Sequence, residues 1–187
     1  MTEATKRKVL VPIADGTEEI EAVCIIDVLR RAGAEVTVAS VGDLQITASR
    51  GVKLVADCKI DDCREDHFDL IALPGGIPGA EHLRDSLPLV QLLRRHQARG
   101  GWYGAICAAP AVVLSHHGLL GGRQATGHPS FTEHLTDGQA TAARVVVDDK
   151  CVTSQGPGTA LEFALTLVAL LFDDAKARAV AAPMIVA

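Results

Sequence analysis

Residues 104 to 110, Gly-Ala-Ile-Cys-Ala-Ala-Pro, place one cysteine between the end of an apolar run and an alanine-rich stretch. A cysteine at a strand-to-helix turn has two ways to become reactive. The turn exposes its sulfur, and the free N–H groups and dipole of the following helix stabilise a thiolate. Such a turn resembles a nucleophile elbow, although the Gly-x-Ser-x-Gly signature is absent. Free cysteine is also among the most buried residue types, so packing and attack both remain open for Cys107 on position alone.

Other chemistry-bearing residues lie near turns. Glu18, Glu19 and Glu21 sit early in an expected helix, where carboxylates suit the dipole, and Asp15 with Glu18 has capping-box spacing. Glu21 falls beside Ile20, Cys24 and Val28, and a glutamate facing a core is kept protonated by desolvation. His128 lies in Thr126-Gly127-His128-Pro129, where an ordinary loop histidine is a sufficient account. Pro74-Gly75-Gly76 ends an apolar run; it reads as turn chemistry, or as backbone donors brought close to a developing oxyanion. Thr159, in Gly156-Pro157-Gly158-Thr159, is expected to cap the last long helix. His116 and His117 need no more than a dipole role.

The elements that must position these residues alternate. Val9 to Ile13 leads to an amphipathic stretch from Glu18 to Arg31, with Ile20, Cys24, Ile25 and Val28 expected on its inner face, and then to a strand over 35–41. A minor antiparallel pair is expected over 45–48 and 53–56, turning at Arg50-Gly51. Strands follow over 68–73 and 102–106, with helical segments at 80–83 and 87–98 and an alanine-rich helix after Cys107. Short strands near 124–126, 144–147 and 151–154 precede helices over 159–171 and 175–182. This alternation predicts a doubly wound α/β fold, a mostly parallel sheet with helices on both faces and its ligands at the carboxyl ends of the strands.

The 187 residues, 48% hydrophobic, fit one domain with a real core. A net charge of -5, with basic and acidic residues intermixed, argues against nucleic acid. The N-terminal MTEATKRK has no long apolar region behind it, which leads us to expect a soluble, cytoplasmic protein without a membrane span. Five cysteines, at 24, 58, 63, 107 and 151, form no Cys-x-x-Cys pair; they are expected to be reduced thiols rather than zinc ligands. Cys24 reads as core and Cys151 as a strand residue, while Cys58 and Cys63 lie among Asp57, Asp61 and Asp62, which disfavour thiolate.

Taken together, Ala105 to Pro110, Gly16-Thr17-Glu18-Glu19-Ile20-Glu21, Leu73 to Gly76, His128-Pro129 and Gly156 to Thr159 resemble the Parkinsonism-associated (DJ-one) branch of the ThiJ/PfpI superfamily, in family order over nearly the whole chain. The resemblance implies a single flavodoxin-like domain over 1–187 and a homodimer with the first helix near the interface and Arg31 and Arg50 around the pocket. It implies a peroxide-sensitive nucleophile at Cys107, a protonated glutamate at Glu21, a pocket histidine at His128, and oxyanion donors at the amides of Gly76 and Ala108. It also implies a cofactor-independent, metal-free glyoxalase or deglycase acting on methylglyoxal-type α-oxoaldehydes or on glycated proteins. The alternative is a redox sensor or chaperone using the same thiol. The superfamily's peptidases carry histidine directly after the cysteine; Ala108 stands there in this chain and argues against that activity.

Overall fold

The computed structural model describes residues 6–186; the first five residues of the polar N-terminal lead-in lie outside them. The described residues form eleven strands and five α-helices. The strands are β1 (Lys8–Ile13), β2 (Glu35–Ser40), β3 (Gln45–Thr47), β4 (Lys53–Val55), β5 (Cys58–Lys59), β6 (Leu70–Leu73), β7 (Trp102–Ile106), β8 (Gln124–Ala125), β9 (Gln139–Ala140), β10 (Val145–Asp148) and β11 (Cys151–Ser154). The helices are α1 (Glu19–Arg31), α2 (Gly79–Asp85), α3 (Leu87–Ala98), α4 (Ala160–Leu171) and α5 (Asp174–Ala181).

Seven strands form the central sheet in the order β10-β11-β7-β6-β1-β2-β5, parallel except for the β10–β11 pair. Parallel strands need crossover helices, and these cover both faces. Alternate residues of β1 serve two cores: Val9, Val11 and Ile13 pack with α1 and α4, while Leu10 packs with α2 and α3. The five inner strands run in the flavodoxin-like order, and the order in which parallel strands are added reverses between β1 and β6. Pro12 has no N–H for a sheet ladder, and the β1–β6 register covers only Val9↔Leu70 and Leu10↔Ile71. The two strands are thus not paired with each other at their carboxyl ends, where Gly16 and Gly75 follow.

Most expected elements form, including the β3–β4 pair with Gly51 at φ +90. Four local expectations are corrected. The buried face of α1 is Glu21, Ala22, Ile25, Val28 and Leu29, whereas Ile20 is 53% exposed, so the helix is rotated from the apolar stripe that includes Ile20. The Asp15–Glu18 capping box is absent because both carboxylates bind elsewhere: Asp15 accepts from the Thr47 amide at 2.7 Å, and Glu18 lies 2.7 Å from the Ser49 hydroxyl. After Cys107 the chain forms a six-residue π-helix, Pro110–Ser115, whose wide bonds include His116 N–H to Ala111 C=O. Thr159 turns its hydroxyl back to the Gly156 carbonyl at 2.9 Å rather than capping α4.

Phe163, on α4, is wholly buried and lies over Gly104 of β7. Truncation to alanine leaves a cavity between helix and sheet. Phe163→Ala is expected to lower unfolding free energy by about 3–5 kcal/mol in urea titrations, and a loss below about 1 kcal/mol would contradict this packing.

Candidate active site

Four loops converge at the carboxyl edge of the sheet: Asp15–Glu18 after β1, Pro74–Gly76 after β6, Cys107 after β7, and Gln155–Gly156 after β11. Register brings the last three level, since Leu73 pairs with Ala105 and Ile106 with Ser154. The Cys107 N–H donates to the Ser154 carbonyl at 3.0 Å. Cys107 itself has φ 65, the left-handed region that a side-chain-bearing residue enters at a cost. Its sulfur is half-buried and touches both hydrophobic cores. The elbow expected from the sequence is therefore present as backbone geometry.

Space around the elbow is kept by glycine. A β-carbon on Gly75 would stand 2.7 Å from that of Cys107 and 2.8 Å from the Ile106 carbonyl oxygen. Gly76, at φ +89, lies against the backbone of Gly16 to Glu18, and a methyl group there would overlap it. The close approach lets the Gly75 carbonyl accept from the Glu18 N–H at 2.9 Å, tying the β6 loop to the start of α1.

That contact carries Glu21 into the interior. Its side chain is wholly buried, and one carboxyl oxygen, Oε2, accepts from the Gly75 N–H at 2.7 Å. The other, Oε1, is buried without an ordinary hydrogen-bond partner, and the titratable neighbour of the carboxyl is the Cys107 sulfur. Burial pushes the Glu21 carboxyl up to about 7, against the pull of the Gly75 amide and Cys107; Glu18 adds a further push. Glu18 and Glu19 face another way, around the Ser49 hydroxyl and the Arg50 amide.

Cys107 departs from the sequence reading of a thiolate favoured by a helix N-terminus. Burial and the charge of Glu21 push its thiol up to about 12, against the amides of Gly76 and Ala108, which favour the anion. The physical reason is local: burial takes away the water that would solvate the anion, and a buried carboxylate beside the sulfur opposes a second negative charge. Cys107 and Glu21 thus resist being anionic together, and a thiolate here requires the proton to reside on Glu21.

Of the expected residues, Cys107, Glu21, Gly76 and Ala108 come together directly. His128 joins through its backbone, donating its N–H to the Cys107 carbonyl at 2.8 Å. Its half-buried ring accepts from the Ser130 amide at Nδ1, 3.2 Å away, which leaves Nε2 as the protonated nitrogen of the neutral ring. Within the chain, Arg31 pairs with Asp27 at 2.6 Å and Arg50 contributes its amide to Glu19. The residue roles missed from the sequence are backbone ones: Gly75, as the donor that fixes Glu21, and Ser154, as the acceptor that fixes Cys107. The glycine pair after an apolar strand was the only signal for the first.

The profile of the DJ-1/PfpI family matches residues 7–170. Protein DJ-1 homolog B of Arabidopsis thaliana is 51% identical over 90% of this chain, which spans 39% of that protein's length; homolog A is spanned to 44%. The chain thus covers less than half of either plant relative. Glutathione-independent glyoxalase DJR-1.2 of Caenorhabditis elegans is 36% identical over 96% of this chain and 95% of its own. Among solved structures, oxidized Toxoplasma gondii DJ-1 superposes with a TM-score of 0.95 at 49% identity, covering 97% of this chain and 99% of that one.

A carboxyl raised from 4.5 to about 7 by folding binds its proton more tightly in the native state than in the unfolded chain. Its contribution to stability is complete below the unfolded value and is lost as pH rises through about 7. Between pH 4.5 and 8 the wild type should therefore lose about 3 kcal/mol relative to Glu21→Gln, as read from paired urea titrations. Parallel pH profiles for the two proteins would exclude Glu21 as the titrating group.

Proposed function

The chain belongs to the DJ-1/PfpI family, and on that premise we propose that it is a cysteine-dependent, glutathione-independent glyoxalase acting on small α-oxoaldehydes of the methylglyoxal type. One observation carries the proposal: a wholly buried Glu21, anchored by the Gly75 amide, stands against the Cys107 sulfur at a left-handed elbow. A protonated Glu21 cancels the charge that raises the thiol and donates to the thiolate. The glyoxalase name of the Caenorhabditis elegans relative supports the substrate class.

In this scheme the Cys107 sulfur adds to the aldehyde carbon. The amides of Gly76 and Ala108 hold the oxygen as it becomes anionic. A proton then leaves that carbon and returns to the adjacent one, which oxidises the first and reduces the second with no external electron acceptor. Glu21 and His128 are the acid-base groups proposed for this transfer. Water hydrolyses the resulting thioester to a 2-hydroxy acid and frees the thiol. Adducts of the same aldehydes on proteins are a second proposed substrate. We assign these steps to a single domain working in the cytoplasm as a homodimer; Ile20 and Val23, exposed on α1, offer apolar surface for the second copy. Among the described residues no helix is long and apolar enough to cross a membrane.

The second reading, oxidation of Cys107 as a stress signal, draws on the oxidized state named for the Toxoplasma gondii structure and on the same Glu21 contact, which would stabilise a sulfinate.

Cys107→Ala should abolish conversion of methylglyoxal to lactate without glutathione, and His128→Ala should lower it by about 10²- to 10⁴-fold, followed by lactate chromatography. Unchanged turnover in Cys107→Ala removes the enzyme proposal. If preformed protein adducts disappear no faster than they release free aldehyde, the deglycase reading falls while the glyoxalase one stands.

A further inference from the structure

A pair of sulfurs lies at one lateral edge of the sheet, away from Cys107. Cys58 is in β5, the edge strand, and Cys63 closes the 3-10 turn Ile60–Cys63 that follows it. Their Sγ atoms are 3.5 Å apart. β5 stands four strand positions from β7, roughly 19 Å across the sheet from the elbow that follows it. Cys63 is 1% exposed and belongs to the core containing α2 and α3, whereas Cys58 is half-buried and reachable from solvent.

We propose that Cys58 and Cys63 form a dithiol–disulfide couple oxidised by peroxides, a redox site separate from Cys107. Sulfurs already in contact need to approach by about 1.5 Å to bond. The strand carrying Cys58 has a short ladder: past Asp57, which is tied to Val38, β5 pairs with β2 through Ala39↔Cys58 and Ser40↔Lys59, and among the described residues no strand lies on its other side. The turn itself is closed by the Lys59 N–H to Asp62 at 3.2 Å. Among the described residues no third histidine, cysteine, aspartate or glutamate joins the pair in a group that could hold a metal ion. Two sulfurs without further ligands suit disulfide chemistry better than metal binding.

The difference in burial sets the order of events. Cys58, the less buried residue of the two, attacks one peroxide oxygen; the O–O bond breaks, Cys58 becomes a sulfenic acid, and its proton leaves with the other oxygen as water. The Cys63 sulfur then attacks Cys58, the S–O bond breaks, and the departing hydroxide takes the Cys63 proton as a second water. Two thiols lose two electrons and one peroxide gains them. Cys63 acts second because burial, Cys58, Asp66 and Asp62 hold its thiol up to about 12, so it is a poor first nucleophile. Unlike a sulfinate at Cys107, the product returns to the dithiol with ordinary thiol reductants.

The test uses the wild-type chain. After treatment with hydrogen peroxide and alkylation of the remaining thiols, tryptic cleavage at Lys53, Lys59 and Arg64 separates Cys58 from Cys63. Peptides 54–59 and 60–64 should appear joined and two hydrogens lighter, and dithiothreitol should separate them. In Cys58→Ser, Cys63 should stay an unoxidised thiol. Individually alkylated Cys58 and Cys63 at doses that oxidise Cys107, a concentration-dependent cross-link between chains, or equal oxidation of Cys63 in Cys58→Ser would each overturn the proposal. Activity toward methylglyoxal is not the readout, so the result is independent of the function proposed for Cys107.

Discussion

A carboxyl group and a thiol, both short of water, share one corner of this protein at the sheet's reversal point. Glu21 has its Oε2 on the Gly75 amide and its other oxygen without an ordinary partner, next to Cys107 at its left-handed backbone position. Two negative charges there would repel in a poorly screened site, so the pair is constrained to hold a proton between them well above the pH at which an exposed glutamate ionises. Much of the surrounding architecture serves to make that arrangement possible. The helix carrying Glu21 packs against α4, and the loop carrying Gly75 closes over its first turn.

Backbone proximity is the second requirement. The amides that face the sulfur and the carboxyl belong to Gly75, Gly76 and Ala108, and they approach because two of the three have no β-carbon. The chain around Gly16 occupies the space a side chain on Gly76 would need. The main chains of two loops thus come close enough for direct hydrogen bonding, and the oxyanion donors of the proposed mechanism are held by the fold rather than by mobile side chains.

Environment separates cysteines that composition treats alike. Cys151 is buried beside Tyr103, its thiol pushed up to about 12 mainly by burial. Cys24, half-buried on α1, is raised by burial and by the nearby charges of Asp27 and Glu21. Cys58 and Cys63 are distinguished by touching one another. The sequence reading placed these two in a polar segment, but the turn Ile60–Cys63 directs every third residue inward, and Cys63 joins Ile60 in the core.

The layered fold was legible in the chain because periodicity is local: apolar runs such as Val9 to Ile13 and Leu70 to Leu73 report burial on both faces, and the amphipathic segments between them report crossover helices. Cys107 was legible as a residue at a strand end, and Pro74-Gly75-Gly76 as a turn. What the residues alone left undetermined was their relation. The rotation of α1 that buries Glu21 while exposing Ile20, the π-helix after Cys107, and the release of Asp15 and Glu18 from helix capping all arise from contacts between segments distant in the chain. A helix presents several nearly equivalent faces, and only packing against the sheet selects one. The amino-acid sequence by itself therefore determined the order of layers and the placing of Cys107 at a strand end, whereas the tertiary structure decided which carboxyl meets it and which way its proton equilibrium is driven, because desolvation and charge proximity exist only once the chain has folded.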